Sequence, residues 1–89
     1  MTSQSAELVL TDVLDLTEAR PLADALLAVR GRPLRLDASG VERLGALCLQ
    51  VLIAARRTWA ADGAAFSVER PSPAFSEQCA RLGAKEIFA

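Results

Sequence analysis

The stretch from Leu34 to Trp59 constrains the fold more than any other part of the chain. From Leu34 to Ala38, apolar side chains alternate with charged ones, which is the period of a strand with one buried face. Ser39 and Gly40 then favour a turn. After the turn, apolar residues recur at the spacing of one helical stripe: Leu44, Leu47, Cys48, Val51, Leu52, Ala55 and Trp59. A strand, a tight loop and a long helix predict the first two-thirds of a βαβ unit.

The start of this central helix can be read in two ways. Ser39 and Glu42 have the spacing of a capping box, which would begin the helix near Gly40. The apolar stripe becomes regular only around Leu44, and glycine costs little as an N-cap. We therefore favour a helix start near Gly45.

The residues before the central unit predict two short strands and a helix. Glu7 to Leu10 and Val13-Leu14 are candidate strands, which a turn at Thr11-Asp12 would join into a hairpin. The helix that follows takes its cap from Asp15 or Thr17. Its predicted buried stripe is Leu22, Ala25, Leu26 and Val29, and its end is the run Arg30-Gly31-Arg32-Pro33.

The residues after the central helix predict a second strand and a third helix. Ala65 to Glu69 alternates as a strand, and its connection through the helix should be parallel and right-handed. Ser72 caps the third helix, with Pro73 at its first position. Its predicted buried side is Phe75, Cys79 and Leu82; Gly83 ends it, and Ile87-Phe88 forms a last strand or turn. The predicted fold is α/β, with a small mixed sheet, helices packed on it, and the order β-β-α-β-α-β-α.

Composition limits the class of protein. The 89 residues, 52% of them hydrophobic, predict a single small globular domain with a thin core. A net charge of −1 gives no electrostatic reason to expect nucleic acid or an anionic membrane as partner. No apolar run approaches the ~20 residues of a membrane span. Met1 to Ala6 lacks the features of a signal peptide, so we expect a cytoplasmic protein without membrane insertion.

The residue types argue against an enzyme. The chain has no histidine and no tyrosine, so the commonest general base is missing. Asp37 and Ser39 follow a strand, but no base is spaced to activate the serine, and turn formation explains both residues better than catalysis. Cys48 and Cys79 are expected as buried free thiols. We expect no metal site and no cofactor, and we interpret Arg56-Arg57 as a solvated face.

The run from Asp37 to Val41, followed by a helix containing Leu49-Gln50-Val51-Leu52, resembles the central motif of STAS domains. The usual pattern in that family is Asp-x-Ser-x-Val, three residues, and then Asp-Ser-Ser-Gly-Leu at the helix start. The first half matches here. In the second half, the resemblance places the family's phosphorylated serine at Ala46 and the aspartate before it at Gly45. No phosphorylation is therefore expected at the helix start, and Ser39 is the substitute to consider.

The resemblance also implies where a partner binds. Family antagonists dock on anti-sigma kinases with the N-terminus of this helix and the preceding loop. The side of the helix away from the stripe contains Ala46, Leu49, Gln50, Ile53, Arg57 and Ala60. For Leu49 and Ile53, coverage by neighbouring helices is as good an interpretation as partner contact. The predicted partner-binding residues are Ser39, Val41, Glu42, Arg43, Gly45, Ala46, Leu49, Gln50 and Ile53.

The function expected from the resemblance is a non-enzymatic bacterial signalling module similar to an anti-sigma factor antagonist, acting in transcription regulation. Its partner would be an anti-sigma kinase-like regulator or a component of a signalling complex. One alternative is a structural adaptor in a chemotaxis array or a transport assembly, for example one that moves lipids. Another is a small-molecule-sensing module. A homodimer is also compatible with the sequence.

Overall fold

The computed structural model describes residues 5–88, which form five strands, three helices and two short 3-10 segments. The strands are β1 (Ala6–Val9), β2 (Val13–Leu14), β3 (Leu34–Asp37), β4 (Arg43–Leu44) and β5 (Phe66–Glu69). The helices are α1 (Ala19–Ala28), α2 (Ala46–Ala61) and α3 (Pro73–Arg81). The 3-10 segments are Leu16–Glu18, directly before α1, and Lys85–Phe88. The α/β class is confirmed.

The main sheet has the strand order β1-β3-β5, and both of its pairings are parallel. The parallel pairing of β3 with β5, predicted from the length of their connection through α2, is confirmed. Each strand presents one apolar face. Leu34 lies between Ala6 and Phe66 in the register, and Leu36 lies between Leu8 and Val68.

The predicted N-terminal hairpin is wrong. β1 pairs with β3, and β2 pairs with β4 in a separate two-stranded sheet, so the pairings among residues 5–88 are parallel rather than mixed. The backbone shows why. The N–H of Leu10 donates to the carbonyl oxygen of Asp37 at 3.0 Å, so the chain follows β3 to its end instead of folding back. Alignment with the apolar face of β3 buries more surface than an isolated hairpin would.

The helices pack on one face of the main sheet. The side chains of Ala6, Leu34 and Leu36 on that face are buried, whereas Glu7 and Arg35, which point to the other face, are exposed. The buried core is continuous from the sheet through the helices; its largest members are Trp59, Phe75, Leu14, Leu34, Leu36, Leu52 and Ile87.

Local capping fixes the starts of α1 and α3. The Asp15 carboxylate accepts from the backbone N–H of Thr17 at 3.0 Å and opens the 3-10 turn that leads into α1. The Ser72 hydroxyl accepts from the N–H of Phe75 at 3.1 Å, with Pro73 at the first helical position. The predicted Ser72 cap is confirmed. Asp15 caps the 3-10 segment rather than α1, whose own N-cap, Glu18, makes no side-chain capping bond. Leu82 is exposed rather than buried, because α3 ends at Arg81 and the chain turns away there.

The start of α2 matches the later of the two predicted positions. Gly45 is the N-cap and Ala46 the first helical residue. The capping-box alternative is wrong because the residues between Ser39 and Gly45 form a loop and the strand β4, which pairs with β2. Cys48 in the first turns of α2 and Cys79 in α3 are buried free thiols, as predicted. Burial raises the pKa of both thiols.

Candidate functional site

Asp37 ends β3 and organises the turn that follows. Its carboxylate Oδ1 accepts from the backbone N–H of Ser39 at 2.9 Å, the bond of an Asx turn. Oδ2 pairs with the guanidinium of Arg70, which follows β5 and has a φ of 51°. The side chain and the backbone N–H of Ser39, and then Arg70, lower the pKa of Asp37 to about 2. The turn role predicted for Asp37 and Ser39 is confirmed.

Buried hydrogen bonds hold the loop after this turn against the start of α3. The carbonyl oxygen of Ala38 accepts from the N–H of Val41 at 3.3 Å and from the N–H of Ser72 at 3.1 Å. The Ser72 hydroxyl donates in turn to the carbonyl oxygen of Val41 at 2.5 Å. One serine therefore both caps α3 and fixes the loop, so the loop has a defined shape.

The other side of the loop is anchored to β2 and its preceding turn. The backbone N–H groups of Glu42 and Arg43 donate to the carbonyl oxygen of Asp12 at 2.7 and 3.1 Å. The N–H of Gly45 donates to the carbonyl oxygen of Leu14 at 2.8 Å. The start of α2 is thereby placed at the carboxyl end of β3, where parallel α/β folds present functional groups.

Five of the predicted partner-binding residues are exposed at this end of the molecule, and Gly45 is half-buried among them. The exposed residues are Ser39, Glu42, Arg43, Ala46 and Gln50. A shallow groove of mixed charge continues from Glu42 and Arg43 to Glu77 and Arg81 on α3. The structure therefore brings the predicted loop and the predicted helix start together on one surface.

Three predicted contact residues are placed differently. Val41 and Leu49 are buried, with Leu49 only 2% exposed, and Ile53 is half-buried and packs against the core. The carbonyl oxygen of Val41 accepts from Ser72, which holds the loop inward. Leu49, Ile53 and Arg57 follow at four-residue spacing on one flank of α2, and the C-terminal 3-10 segment contacts this helix. The Arg57 guanidinium forms two hydrogen bonds with the Glu86 carboxylate, at 2.9 and 3.2 Å, and holds that segment on the flank of α2. Coverage, rather than partner contact, is thus the correct interpretation of Leu49.

Sequence reasoning missed Leu47. It belonged to the predicted buried stripe, yet its side chain is 43% exposed in the first turn of α2. The buried face of the helix is rotated away from Leu47 and towards Leu49. A second exposed leucine, Leu16, is 74% exposed and directly follows Asp15 in the chain. The carbonyl oxygen of Asp15 accepts from the Cys48 thiol in α2 at 3.2 Å. The signal in the sequence for the exposure of Leu16 was its position outside every predicted apolar stripe; in the structure it lies in the 3-10 turn before α1.

Comparison with known proteins now identifies the family. The family model described as "Mlab, STAS domain" matches residues 1–88. The chain belongs to the STAS domain family. No curated protein matches it. STAS domains are generally non-enzymatic binding modules that interact with proteins.

The STAS assignment makes the composition of the helix start informative. Gly45 caps α2 without a side-chain hydrogen bond, and the next residue, Ala46, carries no hydroxyl group. The site offers the small, exposed side chain of Ala46 and the exposed Leu47. Within residues 5–88, no group of three or more His, Cys, Asp or Glu side chains is placed to hold a metal ion. No helix in the same range is long and apolar enough to span a bilayer.

Proposed function

We propose that this STAS domain is a non-enzymatic cytoplasmic protein-interaction module, similar to an anti-sigma factor antagonist, that binds a regulatory protein at the start of α2. The proposed contact, the loop–helix surface, consists of Ser39, Glu42, Arg43, Ala46, Leu47 and Gln50. The observation that carries this proposal is the exposed Leu47 beside Ala46, on a helix start that buried hydrogen bonds hold in place.

The chemistry of this surface suits a protein partner. Leu47 supplies exposed apolar area, and Glu42, Arg43 and Gln50 supply exposed polar side chains on the same proposed surface, as in an interface with an apolar centre and a polar rim. The supporting loop is already ordered by its bonds to Ser72 and to Asp12, so binding costs little additional conformational entropy.

Ala46 determines how such binding would be regulated. A phosphate at the helix start would add negative charge and bulk in the contact, but alanine cannot accept one. We therefore propose a constitutively binding-competent domain. Ser39 is exposed, and its backbone N–H and side chain interact with Asp37, which supports a role in the turn; mass spectrometry that found phosphate on Ser39 would contradict the constitutive model.

Charge placed on the loop–helix surface should abolish partner binding without unfolding the domain. Leu47→Asp and Ala46→Glu each put a carboxylate in the first turn of α2, where the helix dipole favours negative charge by about 0.3–1 kcal/mol. The partner is captured with the tagged wild-type chain, identified by mass spectrometry and purified, and its affinity is then measured by titration calorimetry. Both variants should weaken binding at least about tenfold, as expected for a central interface residue.

Leu27→Asp is the matched control. Leu27 is a leucine of α1, 65% exposed and outside the loop–helix surface. It should bind the partner as tightly as the wild-type chain does. Equal losses in all three variants, or an unchanged affinity for Leu47→Asp, would contradict the proposed surface.

A second candidate function is a permanent adaptor subunit in a chemotaxis or transport assembly. Ala46 also favours this function, because a contact that phosphate cannot break suits a lasting complex. The two functions differ in the lifetime of the complex. An adaptor should remain bound in fixed stoichiometry through gel filtration at micromolar dilution, whereas a signalling antagonist should exchange.

A further inference from the structure

β1 is an edge strand of the main sheet whose outer backbone groups face away from β3. Among residues 5–88, the strand order β1-β3-β5 leaves one side of β1 without a neighbouring strand in the sheet. The N–H groups of Ala6 and Leu10 donate into β3, at 2.7 Å to Pro33 and 3.0 Å to Asp37. Because bonding alternates along a strand, the N–H and C=O groups of Glu7 and Val9 point outward. Such groups form a template for another strand.

An apolar groove runs beside this edge, between β1 and α1. Its lining is mostly apolar, with Leu8, Leu10, Leu14, Pro21, Leu22 and Ala25, and it also includes Val9, Thr11 and Glu18. Val9, on the other face of the sheet, is 72% exposed, an unusual position for a large aliphatic side chain in a strand. The edge therefore combines outward backbone groups with apolar surface on both faces.

We propose that β1 pairs antiparallel with β1 of a second copy of this chain, so that two three-stranded sheets join into one of six strands. The two-fold axis would pass between Leu8 and Leu8 of the second copy. Glu7 of each copy would then lie opposite Val9 of the other copy. Both residues point their backbone groups outward, so the two pairs would form four hydrogen bonds.

Charge disfavours one of the two neighbouring registers. A shift of two residues towards the N-terminus would place Glu7 directly opposite Glu7 of the second copy, and like charges opposite each other are destabilising. In the proposed register each carboxylate faces a valine. The pairing would also cover the exposed valine, and it would bring Leu8 from both copies together over the two apolar grooves.

The helical layer leaves room for the second copy. On α1, Pro21 and Ala25 line the groove, and Ala28 continues the same side at the i, i+4, i+7 spacing. None of the three has a long side chain; the one charged residue of the groove, Glu18, precedes α1. The edge itself contains no lysine or proline, the residues that natural proteins use to block strand addition. The interface is small, so we expect weak association.

Sedimentation equilibrium of the full chain tests the dimer. Measured up to about 1 mM, where weak interfaces of this kind are occupied, the average mass should rise from one chain to two. Val9→Pro removes the outward N–H and leaves the bonds to β3 intact, so it should fold but stay monomeric at every concentration. Val9→Thr keeps the N–H and the branched shape, and should dimerise like the wild-type chain.

Cysteine cross-linking tests the register independently of any proline effect on folding. Leu8→Cys would place two thiols directly opposite each other at the two-fold axis, at a spacing that suits a disulfide, and should cross-link under mild oxidation. Glu7→Cys is the control; its thiols would be diagonal and should cross-link at least about tenfold more slowly. The native Cys48 and Cys79 are buried and should not interfere.

The outcomes separate cleanly. A monomeric wild-type chain at all concentrations would overturn the proposal, as would a dimer that Val9→Pro leaves unchanged. Equal cross-linking of the two cysteine variants would exclude the register. The proposed dimer and its register would be established if Val9→Pro loses the dimer while Val9→Thr keeps it, and if Leu8→Cys cross-links rapidly while Glu7→Cys does not.

Discussion

Gly45 is the residue at which the start of α2 comes closest to β2. Its N–H donates to the carbonyl oxygen of Leu14 at 2.8 Å, and a Cβ at this position would lie 3.1 Å from the same oxygen. The start of α2 and the end of β2 cannot move apart without lengthening that hydrogen bond. A glycine here thus serves close approach rather than an unusual φ, which is −81°.

Gly45→Ala should lower the free energy of unfolding by about 1 kcal/mol, because the added methyl group forces the helix start away from Leu14. Urea denaturation measures the change. Gly40→Ala is the control, since a Cβ at Gly40 would meet nothing within 4 Å. It should be neutral or slightly stabilising through the unfolded state. Equal effects of the two substitutions would show that the approach to β2 is not a constraint.

Asp37 makes the turn at the end of β3 sensitive to acid. Its pKa falls from the ordinary 3.8 to about 2, through Ser39 first and Arg70 second. A lowered folded-state pKa means that the carboxylate contributes its full stability above the unfolded-state pKa. That contribution is lost as the pH falls from about 4 through 2.

Asp37→Asn should therefore make the melting temperature depend less on pH in the acid range. We expect the wild-type chain to lose more melting temperature between about pH 5 and pH 2 than the variant does, because only the wild-type carboxylate takes up a proton there. Asp24→Asn, at an exposed position on α1, should follow the wild-type profile. If Asp37→Asn loses as much melting temperature as the wild-type chain, other carboxylates cause the acid sensitivity.

At the scale of elements, the buried face of α2 contains most of its predicted apolar stripe but is rotated, so that Leu49 is buried and Leu47 is exposed. Cys48, Leu49, Leu52, Ala55 and Trp59 are its buried residues. The helix contacts α1 on one side and the C-terminal 3-10 segment on the other, and these neighbours decide which leucines are covered. The same rotation exposes Leu47 on the loop–helix surface.

Two alanine substitutions should distinguish this face from the stripe. Leu49→Ala removes a buried side chain and should cost about 2–5 kcal/mol of unfolding free energy. Leu47→Ala makes the same chemical change at a half-exposed position and should cost less than about 1 kcal/mol. Chemical denaturation of the two variants side by side provides the measurement. A larger loss for Leu47→Ala would mean that α2 is buried on its predicted stripe.

At the scale of the whole molecule, contacts between distant residues hold the helical layer to the sheet. The indole N–H of the buried Trp59 donates to the carbonyl oxygen of Arg32 at 2.7 Å, which ties the end of α2 to the entry of β3. Arg30 pairs with Asp62 at 3.0 Å and links the ends of α1 and α2. This ion pair is partly exposed, so the buried core contributes more to stability than it does.

The sequence by itself determined the features that depend on neighbouring residues. The alternation of β3, the long period of α2, and the caps at Asp15 and Ser72 are local, because each depends on side chains within a few positions. The motif from Asp37 to Val41 also located the loop and led to the family. These features account for the parallel β3–α2–β5 unit and for most of the exposed surface at its carboxyl end.

Only the tertiary structure decided the rest. Whether β1 folds back on β2 or continues along β3 depends on which partner buries more apolar surface, and β3 lies more than twenty residues further along the chain. Leu47 and Leu49 lie on nearly opposite sides of α2, and each flanks the helical stripe of buried residues. Elements from both ends of the chain, α1 and the C-terminal 3-10 segment, contact α2, and Leu49 is buried while Leu47 is exposed. Periodicity can state that a helix has a buried face, but neighbours from distant parts of the chain determine which residues that face contains.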